Sequence, residues 1–250
     1  MWCDWPRAVH TPSFDEFASR IRGQRVQAVE RRAKYIVIQL EHDYLLIHLK
    51  MTGRLYVSPC GHADTADRWV HVRFQLDSGE ELRFSDSRKF GRVYLTNDPT
   101  AITGSLGPEP LSPEFTAAEF AQRLKMRDKN IKALLLDQTF LAGVGNIYAD
   151  EALFRAKIHP LTRSRDLSAE QTAALYDAVR AVLMDGIARE GASVNWYRKA
   201  DGSRGSAQDS LYVYGRAGQP CVCCGTPIEK TRVVQRGTHF CPSCQGLRRA

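Results

Sequence analysis

The chain has 250 residues, 43% of them hydrophobic and 25% charged. That excludes a disordered, collagenous or small disulfide-stapled chain, and at ~150 residues per domain it predicts one or two domains, each with a core of its own. Lys and Arg number 35 against 28 acidic residues, a net charge of +7, with nine Lys/Arg and only three Asp/Glu in residues 196–250. A basic tail points to a polyanion, above all nucleic acid, with a merely solvated basic face as the alternative. No apolar run approaches the ~20 residues of a membrane helix, and Met1–Arg7 carries no apolar signal core, so a cytoplasmic protein without membrane association is expected.

Residues 1–97 read mostly as strands. Tyr35–Leu40 and Tyr44–Leu49 are β-rich runs joined by a turn at His42-Asp43; Val70–Leu76, Glu81–Phe84 and Gly91–Leu95 continue the pattern, with one short helix over Ser13–Ile21. Residues 98–111 read as a linker, stiffened by Leu106-Gly-Pro-Glu-Pro-Leu111. Residues 112–200 read as helices. Ser112-Pro113 marks one start, Asn130–Gln138 and Asn146–Ala156 follow, and Ser168-Ala-Glu-Gln171 is a capping box. The separator Thr139–Gly145 is too short for another element, so the middle reads helix, two tight turns, helix. Residues 201–250 comprise a polar loop (201–210) and a small cysteine-bearing module.

That module carries the most specific motif. Of the seven cysteines, Cys221, Cys224, Cys241 and Cys244 form two Cys-x-x-Cys knuckles sixteen residues apart, the spacing of a tetrahedral four-thiolate Zn²⁺ site. Cys223 is an alternative ligand that the spacing disfavours. So short a segment has no sufficient core, and the metal supplies its folding energy. Between the knuckles, Thr231–Phe240 reads as a β-hairpin with Arg236-Gly237 at its tip; an Arg there reaches a phosphate or simply faces solvent. Ala142-Gly-Val-Gly-Asn146 places Asn146 as the N-cap of a helix, a weak anion site that Arg127, Lys129 and Lys132 nearby strengthen. Arg88 beside Phe90, and Met51 beside a glycine turn, suit insertion into a base stack, or else the two apolar residues are core. Lys34 sits at a strand entrance.

Taken together, several strings resemble the formamidopyrimidine-DNA glycosylase and endonuclease VIII superfamily. They are Arg32-Ala-Lys34-Tyr35, His48-Leu-Lys-Met51-Thr-Gly53, Asp86-Ser-Arg88-Lys-Phe90-Gly, Leu106-Gly-Pro-Glu-Pro-Leu, Ile131-Lys132-Ala-Leu-Leu-Leu-Asp137-Gln, Gly143-Val-Gly-Asn146-Ile-Tyr-Ala-Asp-Glu151, Val213-Tyr-Gly-Arg216 and the ribbon with Gln235-Arg236. They run in family order over nearly the whole chain, and Gly-Pro-Glu-Pro with Tyr-Gly-Arg favours the formamidopyrimidine-DNA glycosylase branch. The resemblance implies an α+β fold: a truncated N-terminal β-sandwich, a helix–two-turn–helix domain and a C-terminal four-cysteine zinc ribbon. It implies a base-excision DNA glycosylase with abasic-site lyase activity, acting as a monomer on oxidised purines (8-oxoguanine, formamidopyrimidines) in damaged double-stranded DNA, with one structural Zn²⁺ and no redox cofactor. Such an enzyme flips the base and works by Schiff-base chemistry. By match to the family, Met51, Arg88 and Phe90 fill the gap. Asn146, Lys132 and Arg236 hold flanking phosphates, Arg127 contacts the backbone, and Lys34 and Arg236 serve the catalytic steps. The loop 201–210 closes over the flipped base. Where relatives carry a DNA-contacting His, this chain has Trp69, with His71 two residues on as the candidate.

The family's Pro-Glu-Leu-Pro-Glu start, whose proline amine attacks the sugar, has no counterpart here; Met1-Trp-Cys-Asp-Trp-Pro6 resembles the inside of the family's N-terminal domain. The readings are a start assigned at an internal Met, a catalytically impaired damaged-DNA or abasic-site binding protein, or another amine (Lys34, Lys50 or Met1) as nucleophile. A form lacking the first helix and strand is expected to melt below a full-length relative. A zinc-ribbon protein for undamaged nucleic acid is a further alternative, disfavoured because ordinary duplex binding leaves no gap to fill.

Overall fold

Val, Ile, Leu and Tyr at alternating positions build the first of two units as layered strands. The computed structural model describes residues 1–62, 67–194, 198–199 and 201–247. Unit 1 is Met1–Ser105 with Ala192–Gly205, and unit 2 is Leu106–Gly191 with Ser206–Ala250.

In unit 1 the strands are β1 (Trp2–Cys3), β2 (Val9–Thr11), β3 (Val26–Arg32), β4 (Tyr35–Leu40), β5 (Tyr44–His48), β6 (Gly53–Pro59), β7 (Val70–Gln75), β8 (Glu80–Asp86) and β9 (Arg92–Thr96). One sheet has the order β1-β7-β8-β6, the other β2-β9-β5-β4-β3. All pairs are antiparallel except β2 with β9. Ile38, Leu45, Ile47, Val93 and Leu95 of one sheet meet Val72, Phe74 and Phe84 of the other, with Phe17 of α1 (Phe14–Arg20) in the same core. Ser13 caps α1, accepting from the Glu16 N–H, so the predicted helix stands. Strands β1, β2, β3 and β6, which lack the strong patterning of β4 and β5, lie at sheet edges. A cleft of about 780 Å³ opens at one end of the sandwich, lined by Met1, Ile21, Leu40, Leu45, Phe74 and Leu82 among others.

Unit 2 contains α3 (Ala117–Lys125), α4 (Ile131–Leu136), α5 (Asn146–Arg155), α6 (Ala169–Ala188), β10 (Glu229–Val233) and β11 (Arg236–Phe240); the short α2 (Thr100–Thr103) precedes it in unit 1. Phe120, Leu134, Phe140, Val144, Leu153 and Val179 join the helices in one core. Gln138 knits the two turns between α4 and α5: its side chain donates to the Leu136 and Val144 carbonyls and accepts from the Gly143 N–H. The Ser168 capping box forms as read.

Three boundaries differ from the sequence reading. Ser112-Pro113 does not start a helix; Thr116 caps α3 instead, accepting from the Glu119 N–H. Asn146 is the first residue of α5, with Gly145 as its cap. Residues 98–111 are not a free spacer, because Gly107 N–H donates to the Gln138 carbonyl and Ala142 N–H to that of Pro108. A Cβ on Gly107 would lie 2.7 Å from the Phe140 backbone, so the second half of this stretch is packed onto the α4–α5 turns. The expected 200/201 boundary falls at Ala200, outside the described residues, and 201–205 groups with unit 1.

Candidate nucleic-acid interface and zinc site

In unit 1 one buried carboxylate organises the predicted gap-filling residues. Asp86 ends β8 fully buried and accepts from the Phe90 N–H (2.8 Å), the Gly91 N–H (2.7 Å), the Arg88 N–H (3.3 Å) and the Thr52 hydroxyl. It therefore shapes the loop after β8 and ties it to the loop before β6. Gly91 is required there: a Cβ would stand 2.3 Å from the Phe84 ring. Arg88 lies 4.6 Å above the Phe90 ring and donates to Met51 Sδ at 3.5 Å. Met51 (57% exposed) and Phe90 (45%) are on the surface, not in the core. The three side chains that sequence reasoning grouped are thus brought together, whereas Asp86, quoted only as part of a string, was missed as their organiser. Asp86→Ala strands the Phe90 and Gly91 N–H groups and the Thr52 hydroxyl, each costing about 1–3 kcal/mol; the expected result is a lower melting temperature and loss of preference for an abasic over an intact duplex, read by melting and competition binding.

His71 is a correction. It is 4% exposed, with Nδ1 2.8 Å from Asp4 and Nε2 3.1 Å from the Asp86 carbonyl. Both ring nitrogens are spent inside the sandwich, so it braces the Asp86 loop rather than reaching DNA. A different histidine, His48, sits among cations at one end of the five-stranded sheet. Register pairs place Arg32, Tyr35, His48 and Arg92 in one row across β3, β4, β5 and β9. Lys34 precedes that row in the tight β3–β4 turn, and Lys50 follows it. Lys50 N–H donates to His48 Nδ1 at 3.0 Å, and the Tyr35 ring packs edge-on at 4.8 Å. Burial, then the charges of Lys50 and Lys34, push His48 down to about 4; burial and Arg92 lower Lys50. As pH falls below ~6.5 the unfolded chain takes up a proton that folded His48 refuses. Stability present above 6.5 is therefore lost between 6.5 and about 4, and His48→Gln should flatten that part of a melting-temperature profile.

In unit 2 the hairpin turn is Val234-Gln235, both left-handed (φ +43° and +62°), and Arg236 opens β11 opposite Val233. The expected tip at Arg236-Gly237 is thus shifted by two residues, since a two-residue turn is the tightest link between paired strands. Arg236 is exposed, as is Arg127; Arg127 lines a groove with Arg123, Met126 and Phe140. Asn146 Nδ2 donates to the Gly237 carbonyl at 3.0 Å, while its buried Oδ1 has no partner.

Lys132 is the second correction. It is 0% exposed, its Nζ 2.6 Å from Asp150 and donating to the Gly237 carbonyl (3.0 Å) and Thr238 Oγ1 (2.8 Å). Its nearness to Asn146 and the family resemblance gave it to a phosphate, but its stem runs into the α4–α5–β11 interface, where it bonds to protein. Glu151, also missed, is buried with its carboxylate accepting from the Tyr212, Val213 and Tyr214 N–H groups (2.8–3.0 Å), and burial raises its pKa. It anchors the chain entering the ribbon.

The Sγ atoms of Cys221, Cys224, Cys241 and Cys244 all lie within 4.8 Å of one another, with Cys221–Cys244 at 3.9 Å and Cys224–Cys241 at 3.4 Å. A tetrahedron with Zn–S of ~2.3 Å has edges of ~3.8 Å, so the four thiols fit one Zn²⁺ with no open position. That ion is structural. Cys223 is exposed and outside the cluster.

A two-sheet sandwich, a helix–two-turn–helix domain and a four-thiolate ribbon, with exposed apolar side chains beside arginine, define a DNA-damage-recognition protein of the base-excision type. The models for the formamidopyrimidine-DNA glycosylase N-terminal domain, its H2TH domain and the zinc finger found in FPG and IleRS match residues 2–93, 106–198 and 218–246. The formamidopyrimidine-DNA glycosylase of Herpetosiphon aurantiacus is 49% identical over 244 residues, 96% of this chain and 89% of the relative. The Lactococcus lactis Fpg complexed with abasic-site DNA superposes with a TM-score of 0.89 at 33% identity, covering 98% of this chain and 90% of the other. A MutM complex with carbocyclic 8-oxo-G DNA gives a TM-score of 0.89 at 33% identity, with the same coverage. The chain belongs to the formamidopyrimidine-DNA glycosylase family.

Proposed function

We propose that this protein is a base-excision DNA glycosylase with abasic-site lyase activity, acting as a single chain on oxidised purines such as 8-oxoguanine and formamidopyrimidines in duplex DNA. The observation that carries the reading is the Asp86-centred cluster. Met51, Arg88 and Phe90 project together from loops rigid enough to replace an extruded base, and a flipped base leaves such a gap. Arg88 supplies a cation to the unpaired partner strand, while the apolar pair fills the stack. Asn146, whose Nδ2 has a second N–H besides the one given to Gly237, and exposed Arg236 and Arg127 form the phosphate grip. Lys34 and Lys50, with neutral His48 between them, make a second cationic end on the five-stranded sheet. The zinc holds the ribbon in shape and takes no part in the chemistry.

The binding-only reading is not favoured, because the similarity to glycosylases runs over almost the whole chain. Imine formation needs an unprotonated amine. Of the amines named from the sequence, Lys50 has its ammonium form disfavoured by burial and by Arg92. Met1 packs in the sandwich cleft beside Ile21 and Leu40. Among the described residues no helix is long and apolar enough to cross a membrane. Action on DNA supports a cytoplasmic protein at the nucleoid.

Borohydride trapping tests the reading. A duplex with 8-oxoguanine opposite cytosine, and one with an abasic site, should each give a covalent protein–DNA band, with mass mapping to Lys34, Lys50 or the N-terminal amine. No band alongside tight abasic-site binding would reduce the protein to a damage clamp. Affinity should fall with salt at a slope of ~−0.9 per phosphate contacted; a flat response would remove the nucleic-acid reading.

A further inference from the structure

We propose that Asp150 is a positioning residue that sets Arg236 and Asn146 in register for one phosphate; this rests on the reading that those two residues grip the DNA backbone. Asp150 lies one helical turn after Asn146 on α5, on the same face, and is fully buried. One carboxylate oxygen accepts from the His239 N–H at 2.9 Å; the other pairs with Lys132 Nζ at 2.6 Å, and Lys132 in turn donates to Gly237 and Thr238. Asn146 donates to the same Gly237 carbonyl. The three residues after Arg236 are therefore pinned to α4 and α5 through Asp150 and its Lys132 partner, and at Gly237 through Asn146 as well.

Two arguments make this more than an interior ion pair. A buried pair is weak as a source of stability, because apolar residues of similar volume commonly serve as well, so what it contributes is geometry. The hairpin turn also cannot place Arg236 by itself, since Val234 is a β-branched residue held at φ +43°, a strained conformation that persists only when its surroundings enforce it.

The test is anisotropy binding of the full chain to a duplex carrying a tetrahydrofuran abasic analogue, over a NaCl series. Arg236→Ala should weaken binding about tenfold or more and make the salt slope shallower by ~1. Asp150→Asn is isosteric and removes a negative charge, so electrostatics alone would strengthen DNA binding. Positioning predicts the opposite: zinc retained at one equivalent, affinity down about tenfold, the slope shallower by ~1, and no further loss when combined with Arg236→Ala. Unchanged or increased affinity, an unchanged slope, or a loss that simply adds to that of Arg236→Ala would overturn the proposal. If Asp150→Asn does not fold, Lys132→Met/Asp150→Leu, which removes both buried charges, carries the same measurements. Wild-type binding insensitive to salt, or to Arg236→Ala, would instead overturn the phosphate-grip reading itself.

Discussion

Cys241→Ser is expected to release the zinc and unfold residues 218–246. The ribbon's own core is small: Cys221, Ile228 and Cys241 packed with Val213 and with Phe154 of α5. Structural zinc contributes on the order of 10–16 kcal/mol in comparable fingers, and so little buried apolar surface does not replace it. The helical core around Phe120, Leu134 and Leu153 is separate, so far-UV helicity should persist while metal analysis falls from one equivalent toward zero. Because β11 carries Arg236, binding to abasic duplex should drop at least as far as in Arg236→Ala. Cys223→Ser should change neither zinc content nor binding. One equivalent of zinc retained by Cys241→Ser would reject the ligand set.

Lys132→Ala is expected to be the most destabilising single change in the helical unit. It leaves the Asp150 carboxylate buried without its Lys132 partner and with only the His239 N–H and ring beside it, and breaking a buried pair costs about 3–5 kcal/mol, or roughly 10 °C in melting temperature for a chain of this size. The double variant Lys132→Met/Asp150→Leu should recover most of that loss, since both charges leave together. A lysine on the surface reaching for phosphate would behave differently: its removal would shift stability by no more than ~0.5 kcal/mol and would weaken DNA binding at unchanged melting temperature. Scanning calorimetry of the three proteins separates the two roles.

The contrast between Lys132 and Arg236 shows where reading the chain as a string reaches its limit. Both are basic, both lie in strings typical of the family, and both were read as phosphate ligands. Arg236 opens an exposed strand end, whereas Lys132 is on the inward face of α4 beside Ile131 and Leu135. Which face a six-residue helix buries depends on the partners it meets, here α5 and β11, and those lie tens of residues away in sequence. His71 and His48 make the same point. Alternation puts a histidine on either β7 or β5, but only the pairing of Tyr35 with His48 and of His48 with Arg92 gathers cations at one end of the sheet.

What was legible beforehand is what local chemistry dictates. The two Cys-x-x-Cys knuckles specify a tetrahedral thiolate site because thiolate spacing within each knuckle is set by a few backbone bonds. Strands β4 and β5, helix α1 and helix α6 with its capping box follow from short-range periodicity and hydrogen bonds that span three or four residues. Met51, Arg88 and Phe90 could be nominated by type and by resemblance. Their assembly, and the buried Asp86 and Asp150 that position the loops and the hairpin, emerged only in the folded chain. A buried carboxylate acquires its role from donors contributed by distant segments, and no local pattern of residues encodes those.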